Sequence, residues 1–251
     1  MRSVRAAHHS GRLLPSRSEE ISTILRDEIL AGQYRAGERL PSERDLTARF
    51  ATSRGVIREA FKRLEQLGIA SIQPGGARVV PVEECTLDVL GPLLDLHAIP
   101  EPKLVDEVLQ MFGVLLEEAA RTAVARASDA ELAEACLIID DMLSYSGDEA
   151  GQHDALRQLG NFFVGVADHL VLRLIINGLR TTFMTRMHGI GIRPKLDSDT
   201  HRAAASELQD ALRNRSDVRV GDAMRRLNRL FRDSARERLA SAQAGNERIS
   251  R

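Results

Sequence analysis

Arg54 and Arg58 stand one helical turn apart in the run Ser53-Arg54-Gly55-Val56-Ile57-Arg58. The guanidinium group is a planar fork of N–H donors that matches the O6 and N7 acceptors on the major-groove edge of guanine. Two such forks near the amino end of one helix can reach base edges when that helix lies in the groove. These residues therefore suit recognition of a polyanion by charge and hydrogen bonding, with no bond made or broken.

Three helices and a hairpin must hold them. Val56, Ile57, Ala60, Phe61, Leu64 and Leu67 recur at helical spacing, while Ser53, Arg54, Gly55, Arg58 and Lys62 fall at the start of that helix or on its other side. Upstream, Pro41-Ser42-Glu43 opens a short helix whose apolar face is Leu46 and Phe50. Ala51-Thr52-Ser53 breaks it, and Thr52 or Ser53 is free to cap the next helix. Ile21, Ile24, Leu25, Ile29 and Leu30 form the stripe of a first helix that stops near Ala31-Gly32. Downstream, the β-branched runs Ile69 to Ile72 and Ala77 to Val80 flank Gln73-Pro74-Gly75-Gly76. They predict a β-hairpin whose glycine tip can approach a nucleic-acid backbone or minor groove closely.

The run Leu40 to Leu46, the pair Ser53-Arg54, the run Val56 to Ala60 and the glycines Gly75-Gly76 occur in this order. In these motifs the segment resembles the winged helix-turn-helix of the GntR superfamily. The resemblance implies operator contacts from Arg44, Arg54 and Arg58, with further contacts from Ser53, Gly55 and the wing at Pro74, Gly75 and Gly76. Gly55 departs from the Thr often found at that position. Arg35 and Arg39 carry no such motif and read as surface or phosphate-backbone residues.

Charge agrees with this placement. The 251 residues carry a net charge of −1. Residues 1 to 82, however, hold 14 Lys and Arg against 9 Asp and Glu, and the remainder holds 21 against 27. Attraction to phosphate is thus concentrated at the amino end, and wrapping of nucleic acid over the whole surface is excluded. The expected organisation is a basic arm at 1–16, a winged helix-turn-helix domain at 17–80 and an acidic, Pro-containing linker at 81–88. An all-helical domain at 89–242 and a tail at 243–251 follow. No apolar run serves as a signal peptide or membrane span, which predicts a cytoplasmic protein without a membrane partner. Cys85 and Cys136 lack metal-ligand spacing and read as buried residues. With no Gly-rich phosphate loop, nucleophile constellation or paired-acid motif, catalysis is not expected and no catalytic residue is assigned.

Beyond residue 88 the helical period dominates. Leu104, Val105, Val108, Leu109, Phe112, Leu115, Leu116 and Ala119 form one stripe, Ser128 to Glu131 is a capping box, and the pattern returns around 151–168, 169–187, 198–214 and 218–242. The fold class is mainly α: three helices with a hairpin wing, then an antiparallel bundle of six or seven helices in whose core a ligand can lie.

The run LVLRLIINGL at Leu170 to Leu179 and Ala-Met-Arg-Arg at Ala223 to Arg226 resemble segments of the FadR subfamily, whose helical domain binds effectors. Many of its members hold a divalent metal, and the resemblance places Leu156, Gly160, Ala205 and Leu227 at the ligand positions. None can bind a metal, so no cofactor or metal is expected; His201, one turn before Ala205, is the single nearby candidate. A cavity stripped of ligands favours hydrocarbon. The expected effector is a long-chain fatty acid or acyl-CoA entering near Phe112, Leu116, Leu156, Gly160, Phe163, Phe183 and Leu227. A metal-dependent regulator of a small hydroxy or sugar acid is the alternative. The resemblance further implies a homodimer, and two-fold symmetry implies a palindromic operator in double-stranded DNA. A repressor is the expected mode.

Overall fold

The computed structural model describes residues 15–144, 149–189 and 198–249. Two compact units divide between Leu96 and His97. In the first, α1 (Arg17–Leu30), α2 (Glu43–Arg49) and α3 (Arg54–Gln66) lead into a hairpin of β1 (Ala70–Gln73) and β2 (Gly76–Val79). Ser16 and Glu19 make a reciprocal capping box at the start of α1, so Ser16 closes the first helix rather than ending an arm; residues 1–14 lie outside the described set. Ile21 and Leu25 of α1, Leu46 of α2 and Ile57 and Leu64 of α3 are fully buried together with Ile69. Each large aliphatic side chain so buried contributes roughly 1.5–3 kcal/mol.

The hairpin is antiparallel, with Ala70 opposite Val79 and Gln73 opposite Gly76, so Pro74-Gly75 is a two-residue turn. Gly75 and Gly76 have φ of +106° and +129°, values that a side chain makes costly. The strand edge of β2 is closed by the segment before α2: the Leu40 amide donates to Ala77 O and the Val79 amide to Glu38 O, each at 2.9 Å.

The expected linker at 81–88 is folded onto this unit instead. Two short 3-10 turns, Val82–Glu84 and Leu87–Val89, precede α4 (Leu90–Asp95). The Cys85 thiol donates to Gly68 O at 3.3 Å, Val89 joins the buried core and Leu93 packs against it. Gly68 has a φ of +74°, the left-handed region that favours glycine, where the chain turns out of α3 toward β1.

The second unit is a bundle of α5 (Pro102–Arg126), α6 (Asp129–Ser144), α7 (Glu149–Ala167), α8 (Leu170–Gly189), α9 (Ser198–Arg213) and α10 (Asp217–Ile249). Proline at the first position of α5 and the Ser128–Glu131 capping box before α6 set these starts. Small residues on α5 (Ala119, Ala120, Ala123) and on α9 and α10 (Ala204, Ala205, Ala211, Ala223) let helix backbones approach closely around Leu208 and Phe163. Asp106 of α5 receives Arg232 Nε at 3.0 Å and Arg232 NH2 at 2.7 Å, a two-point tie to α10. Those guanidinium hydrogen bonds, helped by the charges of Arg232 and Arg236, hold the Asp106 carboxyl below its usual range against the opposing effect of burial. Helix α10 continues to Ile249, past the expected end at 242.

Candidate nucleic-acid interface and effector cavity

The three helices of the head start differently. At α1 and α2 a serine side chain caps the first turn and acidic residues, Glu19 and Glu20 or Glu43 and Asp45, sit in it. At α3 the N-cap Ser53 makes no side-chain cap bond and the first turn holds no acid. Its leading amides and the positive helix end are therefore left to an outside anion. Arg54, the first residue of this helix, is exposed and makes no ion pair among the described residues.

Arg58, one turn on, is 65% exposed and donates from Nε to Glu43 Oε1 at 2.9 Å. This bond orients the guanidinium from α2 and keeps it protonated above its ordinary range. Arg44 is exposed on α2, and Pro74 and Gly75 are exposed at the hairpin tip. A Cβ at Gly55 would have only Ser53 Oγ within reach, at 3.8 Å, so the backbone at this point is open.

In the helical unit a cavity of about 160 Å³ lies among α5, α7, α8 and α10. Phe112, Leu116, Leu156, Gly160, Phe183 and Leu227 all line it. Phe163 does not: it is fully buried and packs edge-on against Phe162, ring centres 5.7 Å apart. Gly160 opens the wall, since a Cβ there would meet Leu116 Cδ2 at 3.3 Å. The polar part of the lining is Arg157, Asn161, Arg180 and Asn228. Arg180 donates to Asn161 Oδ1, and to Asn177 Oδ1 at 2.9 Å. Asn228 Nδ2 is engaged by Gly113 O at 3.0 Å, and Arg157 reaches Asp154 at 3.4 Å.

Of the positions aligned with the subfamily's metal ligands, Leu156, Gly160 and Leu227 border the cavity, whereas Ala205 is in the packed core. His201 is buried in α9, and no group of three metal-ligating side chains occurs among the described residues. These apolar and small residues do not fit a divalent ion.

Residues 17–80 match the family described as bacterial regulatory proteins, gntR family, and residues 107–229 match the FCD domain. The chain belongs to the GntR superfamily and carries an FCD domain. It is similar to the galactonate operon transcriptional repressor of Escherichia coli (strain K12), 28% identical over 144 residues that are 56% of this chain and 62% of that one. It is also similar to the HTH-type transcriptional regulator Mce2R of Mycobacterium tuberculosis (strain CDC 1551 / Oshkosh), 29% identical over 170 residues, 66% of this chain and 69% of that one. A solved GntR family member from Pseudomonas syringae pv. tomato str. DC3000 aligns with a TM-score of 0.48 at 20% identity, covering 94% of this chain and 92% of that chain.

In this GntR-type head, sequence reasoning left Arg39 as a surface or phosphate-backbone residue, and the structure places it beside the wing. Its guanidinium lies over the wing, where a Cβ at Gly76 would meet Arg39 Nε at 2.8 Å, and the residue is exposed. In the FCD domain it missed Asn161, Arg180 and Asn228. Their only signal is position: Arg180 is nearly one turn before Phe183, and Asn228 follows Leu227. No helix among the described residues is long and apolar enough to cross a membrane.

Proposed function

We propose that this chain is a DNA-binding transcriptional regulator of the FadR subfamily, a repressor, whose operator affinity is set by a small molecule in the FCD cavity. The observation that carries this reading is the start of α3: uncapped by a side chain, free of acid, and bearing Arg54 without a carboxylate partner among the described residues. A helix end of that kind binds phosphate and lets the flanking arginines reach base edges. Arg44, Ser53, Gly55 and Arg58 on the helix-turn-helix, and Pro74, Gly75 and Gly76 on the wing, are the accompanying contacts.

A homodimer follows from the same reading, because two heads related by a two-fold axis read a palindrome. The exposed face of α8 supports it. Leu170, Val171, Leu174 and Ile175 lie together there and carry no charge to repel an identical copy.

Selection of bound duplexes from a random DNA library tests the reading. We expect enrichment of one two-fold-related sequence, with Arg54→Ala abolishing the enrichment at one base pair of each half. Recovery of the library without enrichment would leave only sequence-indifferent binding and sink the proposal. Sedimentation at micromolar concentration should show the dimer.

A further inference from the structure

We infer that the FCD cavity is a metal-independent receptor for a small monocarboxylate with an apolar body of about six carbons, its carboxylate held by Arg180. The inference rests on the reading of the cavity as the effector site and narrows its ligand.

Size comes first. A cavity of about 160 Å³ is close to the ~150 Å³ of a protein cavity known to hold benzene. As folded it encloses a ring or a chain of that order.

Polarity comes second. The wall formed by Phe112, Leu116, Leu156, Phe183 and Leu227 offers no partner to a hydroxyl. Each hydroxyl buried against that wall costs ~1–3 kcal/mol, so the ligand's body there must be apolar and its polar group must lie on the side of Asn161, Arg180 and Asn228.

Charge decides the head group. The lining contains no Asp or Glu. Of its two arginines, Arg157 is paired with Asp154 and is more than half exposed. Arg180 is half-buried, and its partners Asn161 and Asn177 are neutral amides. Their oxygens orient the guanidinium and leave its charge uncompensated among the described residues. A half-buried arginine with oriented, unused N–H donors at the edge of an apolar cavity is complementary to a carboxylate, which accepts two parallel bonds from it. The ligand then satisfies both halves of the site: hydrocarbon against the aromatic wall, anion on Arg180.

Calorimetric titration of the full-length protein after exhaustive chelation tests this, with hexanoate, benzoate, hexanamide, hexadecanoate and galactonate as probes and no DNA present. We expect hexanoate or benzoate to saturate one site per chain, and hexanamide, hexadecanoate and galactonate to bind at least about tenfold more weakly. Arg180→Met should lower carboxylate affinity about tenfold or more without changing the affinity for hexanamide, and Arg180→Lys should restore part of the loss. The inference is overturned if neither six-carbon-scale acid binds, if binding appears only on adding zinc, or if the acid and its amide bind equally to the unmodified protein. That last comparison needs no variant to fold. If a carboxylate binds as expected and gel shift shows unchanged operator affinity, the receptor stands and the coupling to DNA falls.

Discussion

The head and the helical domain each present the arginines of a proposed anion site, but the two are built in opposite ways. In the head, Arg54 and Arg58 belong to one helix and point outward from a packed face of Ile57, Ala60, Phe61 and Leu64. In the FCD domain, the cavity draws its wall from four helices, and Arg180 is oriented by Asn161 of α7 and Asn177 of its own helix. An outward reader needs only a rigid local platform, because its ligand arrives from solvent as a large polyanion. A receptor for a small molecule needs several segments to converge, because it must exclude water and surround the ligand.

The strongest way to break the contrast is to remove the platform. Leu64→Ala deletes a fully buried side chain at the centre of the head and should cost about 2–5 kcal/mol. Chemical denaturation should show an early transition and lost DNA binding, with ligand titration of the FCD cavity unchanged. Loss of both together would mean that the two units do not act separately.

Arg54→Ala sharpens the contrast at the next level. It should weaken the selected operator by about 1–3 kcal/mol while leaving the head's stability in place. Random duplex should lose much less affinity, and gel shifts on both DNAs measure the difference. Equal losses would assign Arg54 to the phosphate backbone.

Asp106→Asn probes how the bundle holds its convergence. Removing the two-point tie to Arg232 should cost about 1–2 kcal/mol at neutral pH. Because the folded carboxyl is held below its usual range, the tie is fully present above the unfolded value of about 3.9 and fades as pH falls through the lower folded one. Thermal melts of the two proteins should therefore converge on acidification below about pH 4. A gap that stays constant into that range would show that packing, not ionisation, causes the difference.

The smallest effect is expected at Gly55. The backbone there meets only Ser53 Oγ at 3.8 Å, so Gly55→Thr fits and adds a hydroxyl beside the free amides of α3. DNA affinity should rise by a few tenths of a kcal/mol or remain level. A marked loss in gel shift would show that close backbone approach, and hence glycine itself, is required.

Particular residues show how far the chain could be read without its structure. The stripe on α3, the turn at Pro74-Gly75 and the capping box at Ser128 were legible because each spans a few consecutive residues and local rules govern them. The boundary at 81–88 was not: its acidic, Pro-containing composition suggests a linker, yet the Cys85 thiol donates to the Gly68 carbonyl and Val89 joins the head's core. On α7, Leu156, Gly160 and Phe163 share a helical face by spacing, but the cavity ends before Phe163 and Phe162 packs against it. Periodicity names a buried face and cannot say which part of that face meets a void.

Local order along the chain was enough to determine a three-helix head with a wing, its outward arginines, and a helical domain behind it, because hydrophobic period, caps and turns act over a few residues. Only the tertiary structure decided that α3, unlike α1 and α2, starts without a side-chain cap, that Glu43 orients Arg58, and that Arg180 faces a cavity of about 160 Å³ with neutral partners. Those facts depend on side chains from separate segments meeting in space, and a cation's worth as an anchor is set by the charges and the void around it, which no spacing along one helix contains.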